Sequence, residues 1–253
     1  MNLFDLNNKV ALVTGASRGI GESIARTLAA YGAHVIVTSR KQGDCEIVAQ
    51  SIRESGGSAE ALACHIGDMG QIDQLFAHLR ERDLTLDILV NNAATNPHFG
   101  SILDIDVAAF EKTVQVNIRG YFFMSQNAAK IMREKGEGCI INVASVNGVI
   151  PGHFQGVYSI TKAAVINMTK AFAKECAEMG IRVNAILPGA TDTKFASTLV
   201  NNPKILKEAL KHIPMKRVAQ PDEMSGTVLY LASQASSYTT GACLQVDGGY
   251  LVV

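Results

Sequence analysis

The chain of 253 residues lacks tryptophan, and it has no excess of charge of either sign. Its 23 Lys and Arg residues balance 23 Asp and Glu residues, so the formal net charge is zero. Nucleic acids and anionic membranes select basic surfaces, so this balance argues against both as partners. A small local basic pocket remains compatible with it.

Cysteine is also scarce, with five residues that are odd in number and widely scattered. They are Cys45, Cys64, Cys139, Cys176 and Cys243. None has the CxxC or Cys/His spacing of a metal site, so we predict no metal ligands. We expect small buried hydrophobic side chains in a reducing compartment.

Long apolar runs are missing as well, since none approaches the roughly 20 residues of a membrane span. Residues 1–8 lack the basic start and apolar stretch of a signal peptide. We therefore expect a cytoplasmic protein without a membrane partner. We see no linker, repeat or low-complexity tract, which predicts one domain over residues 1–253. Its cofactor half would be about 1–140, and the catalytic residues and substrate lid would lie in about 140–253.

Short apolar runs alternate with longer stretches of helical spacing along the chain. The predicted strands are Val10–Thr14, His34–Ser39, Ala59–His65, Leu86–Asn91, Cys139–Ala144, Arg182–Leu187 and Cys243–Val246. The predicted helices are Ile20–Tyr31, Asp44–Ser55, Ile72–Glu81, Val107–Lys135, Ser159–Met179 and Pro221–Ser233. This alternation predicts the α/β class: a single Rossmann-type doubly wound domain, with a seven-stranded, mostly parallel sheet and helices on both faces.

The first strand leads into a glycine-rich turn that is typical of a dinucleotide site. Gly15 permits the turn, Gly19 lets the backbone approach a pyrophosphate, and Gly21 allows close packing of helix and strand. Free N–H groups at the helix start would face the anion, with Ser17 and Ile20 in the same segment.

The second strand indicates which dinucleotide is preferred. An acidic residue at its end would bind the ribose hydroxyls of NAD, but the chain reads Ser39-Arg40-Lys41 there. Ser39 and Arg40 can instead hold a 2′-phosphate, and Arg18 can close on it from the first turn. We therefore expect NADP(H) to be favoured over NAD(H), without excluding use of both.

A second group of residues is suited to acid–base chemistry. Tyr158 and Lys162 lie four residues apart, on one face of a predicted helix, and Ser145 follows the fifth strand. A tyrosine needs a nearby cation to titrate near neutrality, and Lys162 is placed to lower its pKa. Tyr158 can then exchange a proton with a carbonyl or alcohol oxygen that Ser145 positions.

Taken together, the motifs resemble those of the short-chain dehydrogenase/reductase family over essentially the whole chain. They are Thr14-Gly15-x3-Gly19-Ile20-Gly21, Asn91-Asn92-Ala93-Ala94, Asn117, Ser145, Tyr158-x3-Lys162, Pro188-Gly189 and Val246-Asp247-Gly248-Gly249. The resemblance implies an oxidoreductase of CH–OH groups. It also implies a homotetramer, built through the Val107–Lys135 and Ser159–Met179 helices and the C-terminal strand region.

The resemblance assigns further residues. Asn117 would complete a catalytic tetrad, its backbone holding a water that relays protons from Lys162. Tyr158 and Lys162 would also bind the cofactor, Lys162 through the nicotinamide ribose. Asn91 and Ala93 would pass beneath the adenosine ribose. The segment after Pro188 and Gly189, notably Thr191 and Thr193, would hold the nicotinamide carboxamide.

One segment departs from the family pattern. Many members carry an Asp-Val or Asn-Val pair after the third strand, whereas this chain reads Cys64-His65-Ile66-Gly67. We expect His65 to contact the adenine by its ring or through water, and Ile66 to pack on the base. Asp68 is expected to cap the following helix.

For the substrate, the segments at 64–67 and 96–101 resemble NADPH-dependent carbonyl reductases related to peroxisomal retinal reductase. That resemblance implies a small apolar carbonyl compound or its alcohol. The expected pocket wall is Phe99, Val146, Phe154, Gln155 and Phe195, with a mobile lid over residues 198–214.

Two alternatives remain. A 3-oxoacyl-carrier-protein or 3-oxoacyl-CoA reductase would need a basic patch at the entrance. Lysines and an arginine near the lid could form it: Lys204, Lys207, Lys211, Lys216 and Arg217. A non-catalytic NADPH-sensing protein would keep the cofactor site alone, although Ser145, Tyr158 and Lys162 are all present.

Overall fold

The computed structural model describes residues 2–196 and 202–252. A seven-stranded sheet runs through it in the order β3-β2-β1-β4-β5-β6-β7, and each pairing between these strands is parallel. The strands are β1 (Val10–Thr14), β2 (His34–Thr38), β3 (Ser58–Ala61), β4 (Ile88–Asn91), β5 (Gly138–Val143), β6 (Ile181–Pro188) and β7 (Cys243–Val246). The predicted Rossmann-type doubly wound sheet is confirmed.

Helices cover both faces of the sheet. They are α1 (Gly19–Ala30), α2 (Gln42–Glu54), α3 (Met69–Glu81), α4 (Val107–Val114), α5 (Tyr121–Lys135), α6 (Gly156–Cys176), α7 (Pro203–Lys211) and α8 (Ser225–Ala232). Helices α1, α2 and α8 bury one apolar cluster against the sheet, and α3, α5 and α6 bury the other. Successive strand residues such as Leu12 and Val13 point into opposite clusters, which explains why the strands are apolar without alternation.

The strand order places a crevice between β1 and β4. Strand β1 pairs with β2 on one side and with β4 on the other. Strands β2 and β3 are therefore added on one side of β1 and the later strands on the other, so the strand order reverses at this point. The Thr14 hydroxyl joins the two strand ends: it donates to Val90 O at 3.3 Å and accepts from the backbone N–H of Asn92 at 2.9 Å. Ligand sites in such sheets lie in this crevice.

The third strand is shorter than the predicted Ala59–His65 and ends at Ala61, although Leu62 N and Cys64 N still donate to backbone carbonyls of Val37 and Ser39. The alternate N–H groups are bound by side chains. Gln42 accepts from the N–H of Ala63 at 2.8 Å, and Gln71 accepts from that of His65 at 2.8 Å. Cys64 and His65 therefore lie in a loop rather than in a strand. The predicted cap is confirmed, since the Asp68 side chain accepts from Gln71 N at 3.2 Å.

The predicted single helix over 107–135 is wrong, because a π-helical turn at residues 115–120 separates α4 from α5. Within it, the Asn117 side chain bonds to the backbone of Thr95 instead of facing solvent. At its end, a Cβ on Gly120 would lie 2.5 Å from Ile66 O, so only glycine permits this approach. A wider turn accommodates both contacts.

The lid predicted over residues 198–214 lies partly outside the described residues, and its described part contains α7. The last predicted helix is divided into a 3₁₀ turn at Pro221–Met224 and α8. None of the helices within residues 2–196 and 202–252 combines the length and apolar character that a membrane crossing requires.

Candidate active site

A cleft with a volume of about 1230 Å³ opens at the carboxyl ends of the strands. The turns after β1, β2, β4, β5 and β6 line it, together with α6 and part of α7. All but two of the predicted site residues line this cleft, the exceptions being Asn91 and Asn117. Those that do are Gly15, Ser17, Arg18, Gly19, Ile20, Gly21, Ser39, Arg40, His65, Ile66, Ala93, Phe99, Ser145, Val146, Phe154, Gln155, Tyr158, Lys162, Pro188, Gly189, Thr191, Thr193 and Phe195.

The turn after β1 allows a ligand to approach the backbone closely. Gly15 and Gly19 have φ angles of +64° and +59°, which favour glycine. A Cβ on Gly15 would lie 2.7 Å from the Cα atom of Ala93, where there is no room for it. Helix α1 begins at Gly19 without a side-chain cap, so its first N–H groups are free to bind an anion in the cleft.

The cleft continues past the end of β2, where Ser39, Arg40 and Lys41 line it together with Arg18. Neither the Arg18 nor the Arg40 guanidinium bonds to another residue in the described part of the chain. The carboxylate of Asp44, in the first turn of α2, lines the same end. This end is therefore positively charged overall, with one opposing charge.

The His65 ring is held in a fixed orientation at the next part of the cleft. Its Nδ1 atom accepts from the N–H of Gly67 at 2.9 Å, which requires the proton of the neutral ring to be on Nε2. Ile66 is buried beside it, and its carbonyl faces Gly120. A Cβ on Gly67 would lie 2.7 Å from the His65 ring, so glycine is also needed for this arrangement.

Asn91 does not line the cleft, contrary to expectation. It ends β4, is fully buried, and donates to Asn142 Oδ1 and Ser125 Oγ, both at 2.9 Å. Asn92 lines the cleft instead, and its Nδ2 donates to Thr14 O at 2.9 Å. Adjacent residues of a strand point to opposite faces, and the paired asparagines of the motif do not reveal which one faces the ligand.

The acid–base residues come from two elements. Ser145 follows β5, whereas Tyr158 lies in the first turn of α6 and Lys162 one turn later. Lys162 is 1% exposed, and its Nζ donates to Val143 O at 2.7 Å. The same atom lies 5.6 Å from the centre of the Tyr158 ring.

Burial dominates the titration of this pair. It raises the pKa of Tyr158 to about 12, although a hydrogen bond from Ser145 acts in the opposite direction. Burial also lowers the pKa of Lys162 to about 7. The pKa of Tyr158 is thus raised, not lowered as predicted, because removal from water disfavours both charged forms.

Asn117 lies one layer behind the cleft. Its Oδ1 accepts from Thr95 N at 2.9 Å, and its Nδ2 donates to Thr95 O at 2.9 Å and to Thr161 Oγ1 at 3.1 Å. Thr161 in turn donates to Tyr158 O at 2.7 Å. The side chain of Asn117 therefore joins the loop after β4 to the helix that carries Tyr158. Thr161 was missed by sequence reasoning, although it lies inside the Tyr158-x3-Lys162 motif.

The segment after β6 closes the other side of the cleft. Gly189 approaches the backbone of Asp247 so closely that a Cβ would lie 2.8 Å from its Cα atom. Thr191 is 4% exposed and donates to Gly189 O at 3.1 Å. Thr193 reaches across to the first turn, where a Cβ on Gly19 would contact its Cγ2 at 3.4 Å.

Aromatic side chains form the wall beside Tyr158. The rings of Phe99 and Phe154 meet edge to face, with centroids 6.1 Å apart, and Phe195 lies 5.6 Å from Tyr158. Phe154 has a φ angle of +60°, which is strained for an aromatic residue, and its carbonyl accepts from Gly100 N at 3.0 Å. The wall thus includes a strained residue that ties two loops together.

Comparisons with known proteins agree with this geometry. The family described as enoyl-(acyl carrier protein) reductase matches residues 15–251. Dehydrogenase/reductase SDR family member 4 from Bos taurus is 36% identical over 246 residues, which are 97% of this chain and 88% of that protein. The chain belongs to the short-chain dehydrogenase/reductase family. It is an oxidoreductase of that family acting on CH–OH donors.

Two solved structures of short-chain dehydrogenase/reductases are close in shape. The gluconate 5-dehydrogenase of Burkholderia cenocepacia J2315, in complex with NADP and tartrate, has a TM-score of 0.96 and 31% identity, covering 100% of this chain and 98% of its own. The 3-oxoacyl-(acyl-carrier-protein) reductase of Agrobacterium tumefaciens C58, with NADP bound, has a TM-score of 0.91 and 33% identity, with coverages of 98% and 96%.

The cleft of this short-chain dehydrogenase/reductase fits a nicotinamide dinucleotide. The glycine turn leaves backbone space that a Cβ at Gly15 would fill, beside an uncapped helix start suited to a pyrophosphate. Among the described residues, no group of three His, Cys, Asp or Glu side chains could hold a metal ion.

Proposed function

We propose that the protein interconverts a small apolar ketone or aldehyde and its alcohol, with NADP(H) favoured over NAD(H). The observation that carries this proposal is one continuous cleft. It contains Ser145, Tyr158 and Lys162 at one end, and the Arg18 and Arg40 side chains at the other.

The cofactor preference rests on charge. A bound nicotinamide dinucleotide supplies or accepts a hydride at the reacting carbon. Arg18 and Arg40 can bind a 2′-phosphate in forked geometry, and Ser39 can donate to it. Asp44 is the one carboxylate among the described residues of that end, and it lies on a helix rather than at the end of β2.

The acid–base step is assigned to three side chains. In reduction, Tyr158 donates its proton to the carbonyl oxygen, and Ser145 holds that oxygen in place by a hydrogen bond. In oxidation, Tyr158 must first lose its proton, which a charged Lys162 favours. Asn117 is proposed to support the proton relay by fixing the backbone around it. Its side chain bonds to the backbone of Thr95 and to Thr161, which in turn donates to Tyr158 O.

The substrate class rests on the wall of the cleft. Phe99, Phe154 and Phe195 surround the position next to Tyr158, and Val146 is buried beside them. An apolar wall of this kind suits a compact hydrophobic carbonyl compound. Gln155 and Asn96, whose amide groups lie 3.5 Å apart, supply few polar contacts for orientation.

An acyl-carrier substrate is the second candidate, favoured by the similarity to a 3-oxoacyl-(acyl-carrier-protein) reductase. Two members of the proposed basic patch form ion pairs within the chain, which weakens the patch. Arg217 forms an ion pair with Glu223 at 2.6 Å, Lys211 one with Glu208 at 2.6 Å, and Lys216 donates to Lys211 O. Lys207 is exposed, and the Lys204 side chain lies outside the described residues. These pairings favour a free small molecule.

The homotetramer, the single domain over residues 1–253 and the cytoplasmic location stay predictions. Exposed apolar side chains on α4, α5 and α6 support an assembly: Val107, Phe110, Phe122 and Ile160 are 76%, 41%, 40% and 56% exposed. Sedimentation analysis tests the assembly, and cell fractionation tests the location.

The deciding experiment follows NADPH absorbance with a panel of carbonyl compounds. The panel contains aryl ketones, diketones, retinal, acetoacetyl-CoA and the 5-keto form of gluconate. We expect the best kcat/KM with an apolar ketone. Best turnover of acetoacetyl-CoA or the sugar acid would refute the substrate class.

Two variants complete this test. Tyr158→Phe removes the proton donor and should lower kcat by a factor of about 10² or more, a far larger loss than any loss of NADPH affinity. Tyr31→Phe is its control, because this exposed tyrosine follows α1 outside the cleft lining. Tight NADPH binding without turnover of any carbonyl would instead support the sensing protein.

A further inference from the structure

A second buried phenol, that of Tyr121, lies behind the Tyr158–Lys162 pair at the start of α5. Its hydroxyl donates to Val143 O at 3.2 Å, the same oxygen that accepts from Lys162 Nζ at 2.7 Å. Lys162 Nζ also lies 3.5 Å from the Tyr121 hydroxyl, at the outer limit of a hydrogen bond. The three polar groups therefore form one buried cluster, with Lys162 and Val143 at the wall of the cleft and Tyr121 behind them.

The lysine ammonium lies between two tyrosine rings. Its distance to the ring centre is 5.2 Å for Tyr121 and 5.6 Å for Tyr158. These two phenols are the titratable groups that face it from α5 and α6 within the described part of the chain. Among the described residues no carboxylate compensates its charge, and burial is the cause of its lowered pKa. The carbonyl, the phenol oxygen and the ring faces must stabilise the cation.

We propose that Tyr121 is a positioning residue, which holds Lys162 beside Tyr158 and helps to keep it charged. Because the Tyr121 hydroxyl donates its hydrogen bond to Val143 O, its oxygen lone pairs are available to accept a hydrogen bond from the Lys162 ammonium. The ammonium donates a stronger hydrogen bond than the neutral amine does, so a neutral acceptor at this position favours the charged form. The inference rests on the proposed acid–base function of Tyr158 and Lys162.

The sign of the effect follows from these contacts. Removing the Tyr121 hydroxyl lowers the pKa of Lys162, so less positive charge stands beside Tyr158 at a given pH. Tyr158 then releases its proton less readily. Alcohol oxidation needs deprotonated Tyr158, so the acid limb of its pH profile of kcat/KM should move to higher pH.

The test is Tyr121→Phe, which keeps the ring and removes the hydroxyl. Val143 O keeps its bond from Lys162, so no buried acceptor loses its last partner. We expect the acid limb to move up by about half a unit to one unit and kcat at neutral pH to fall about three- to tenfold. Tyr121→Leu also removes the ring and should shift the limb further.

The matched control is Tyr230→Phe, because the Tyr230 hydroxyl is bonded to Thr239 at 3.1 Å and does not line the cleft. It should leave the profile unchanged. A second readout needs no turnover: NMR titration of the Lys162 side chain in the cofactor-free protein. Its midpoint should lie near pH 7 in the parent and lower in Tyr121→Phe.

An unshifted NMR midpoint in folded Tyr121→Phe overturns the inference, whatever its activity. A lower thermal midpoint with an unshifted pH profile also overturns it, because that would be a purely structural role. If the parent oxidises no alcohol, the proposed function fails, yet the NMR midpoint still decides whether Tyr121 holds the charge of Lys162.

Discussion

Replacing Arg18 and Arg40 together by alanine should weaken NADPH binding far more than NADH binding. Both guanidiniums line the cleft next to Ser39, and neither bonds to another described residue. Replacing them therefore breaks no hydrogen bond to another described residue of the protein. NADH lacks the 2′-phosphate that they are proposed to bind, so its affinity serves as an internal reference.

The magnitude follows from exposure. Hydrogen bonds from charged groups contribute about 1.5–3 kcal/mol each, and the low end applies here because both side chains are exposed to solvent. About 1.5 kcal/mol corresponds to roughly tenfold in Kd, so the double variant should lose about a hundredfold for NADPH. NADH affinity should change by less than about threefold on the same reasoning.

The directly excited fluorescence of the reduced cofactor suits this measurement, because a chain without tryptophan gives no energy-transfer signal to follow instead. The matched control is Arg80→Ala with Arg133→Ala, which removes the same charge from exposed positions outside the cleft lining. Equal loss for NADPH and NADH, or equal loss in the control, would refute the assignment of a 2′-phosphate site to Arg18 and Arg40.

Three further outcomes are expected. Asp44→Asn removes the opposing carboxylate and should tighten NADPH binding about two- to fivefold in the same titration. In the cofactor-free protein the free energy of unfolding of the parent, relative to that of Lys162→Met, should rise from pH 7 to about pH 10 by on the order of a few kcal/mol. The reason is that unfolded Lys162 holds a proton that the buried amine releases. Taking the difference between the two proteins in urea unfolding curves cancels the contributions of the buried cysteines and Tyr158, whose raised pKa values act in the opposite direction. Phe154→Gly relieves the backbone strain at a φ angle of +60°, so the urea midpoint should not fall, whereas KM for an aryl ketone should rise at least about fivefold.

Much of the fold could be predicted because its signals are local. The bounds of β1 and β7 agree with the predicted ones, since short apolar β-branched runs end at glycine or polar turns. The glycine turn and the Tyr158–Lys162 spacing were equally readable, because each function needs fixed residue types at fixed distances along the chain.

The remainder depends on contacts between distant segments. Nothing in the sequence around Asn117 reveals that its side chain bonds to Thr95, or that a π-helical turn replaces the α-helix there. The choice between Asn91 and Asn92 depends on which side of β4 faces the cleft. The raised pKa of Tyr158 depends on burial that spacing along the chain cannot measure.

Because of the π-helical turn at residues 115–120, the number of residues in this segment determines both the position of Asn117 and the face that α5 buries. An α-helix advances by about 100° per residue, so deleting one residue there would rotate α5 by that angle relative to α4. Either Asn117 would lose Thr95, or Tyr121 and Met124 would leave the buried face of α5. Insertions and deletions between α4 and α5 should therefore be tolerated far less well than substitutions on their exposed sides.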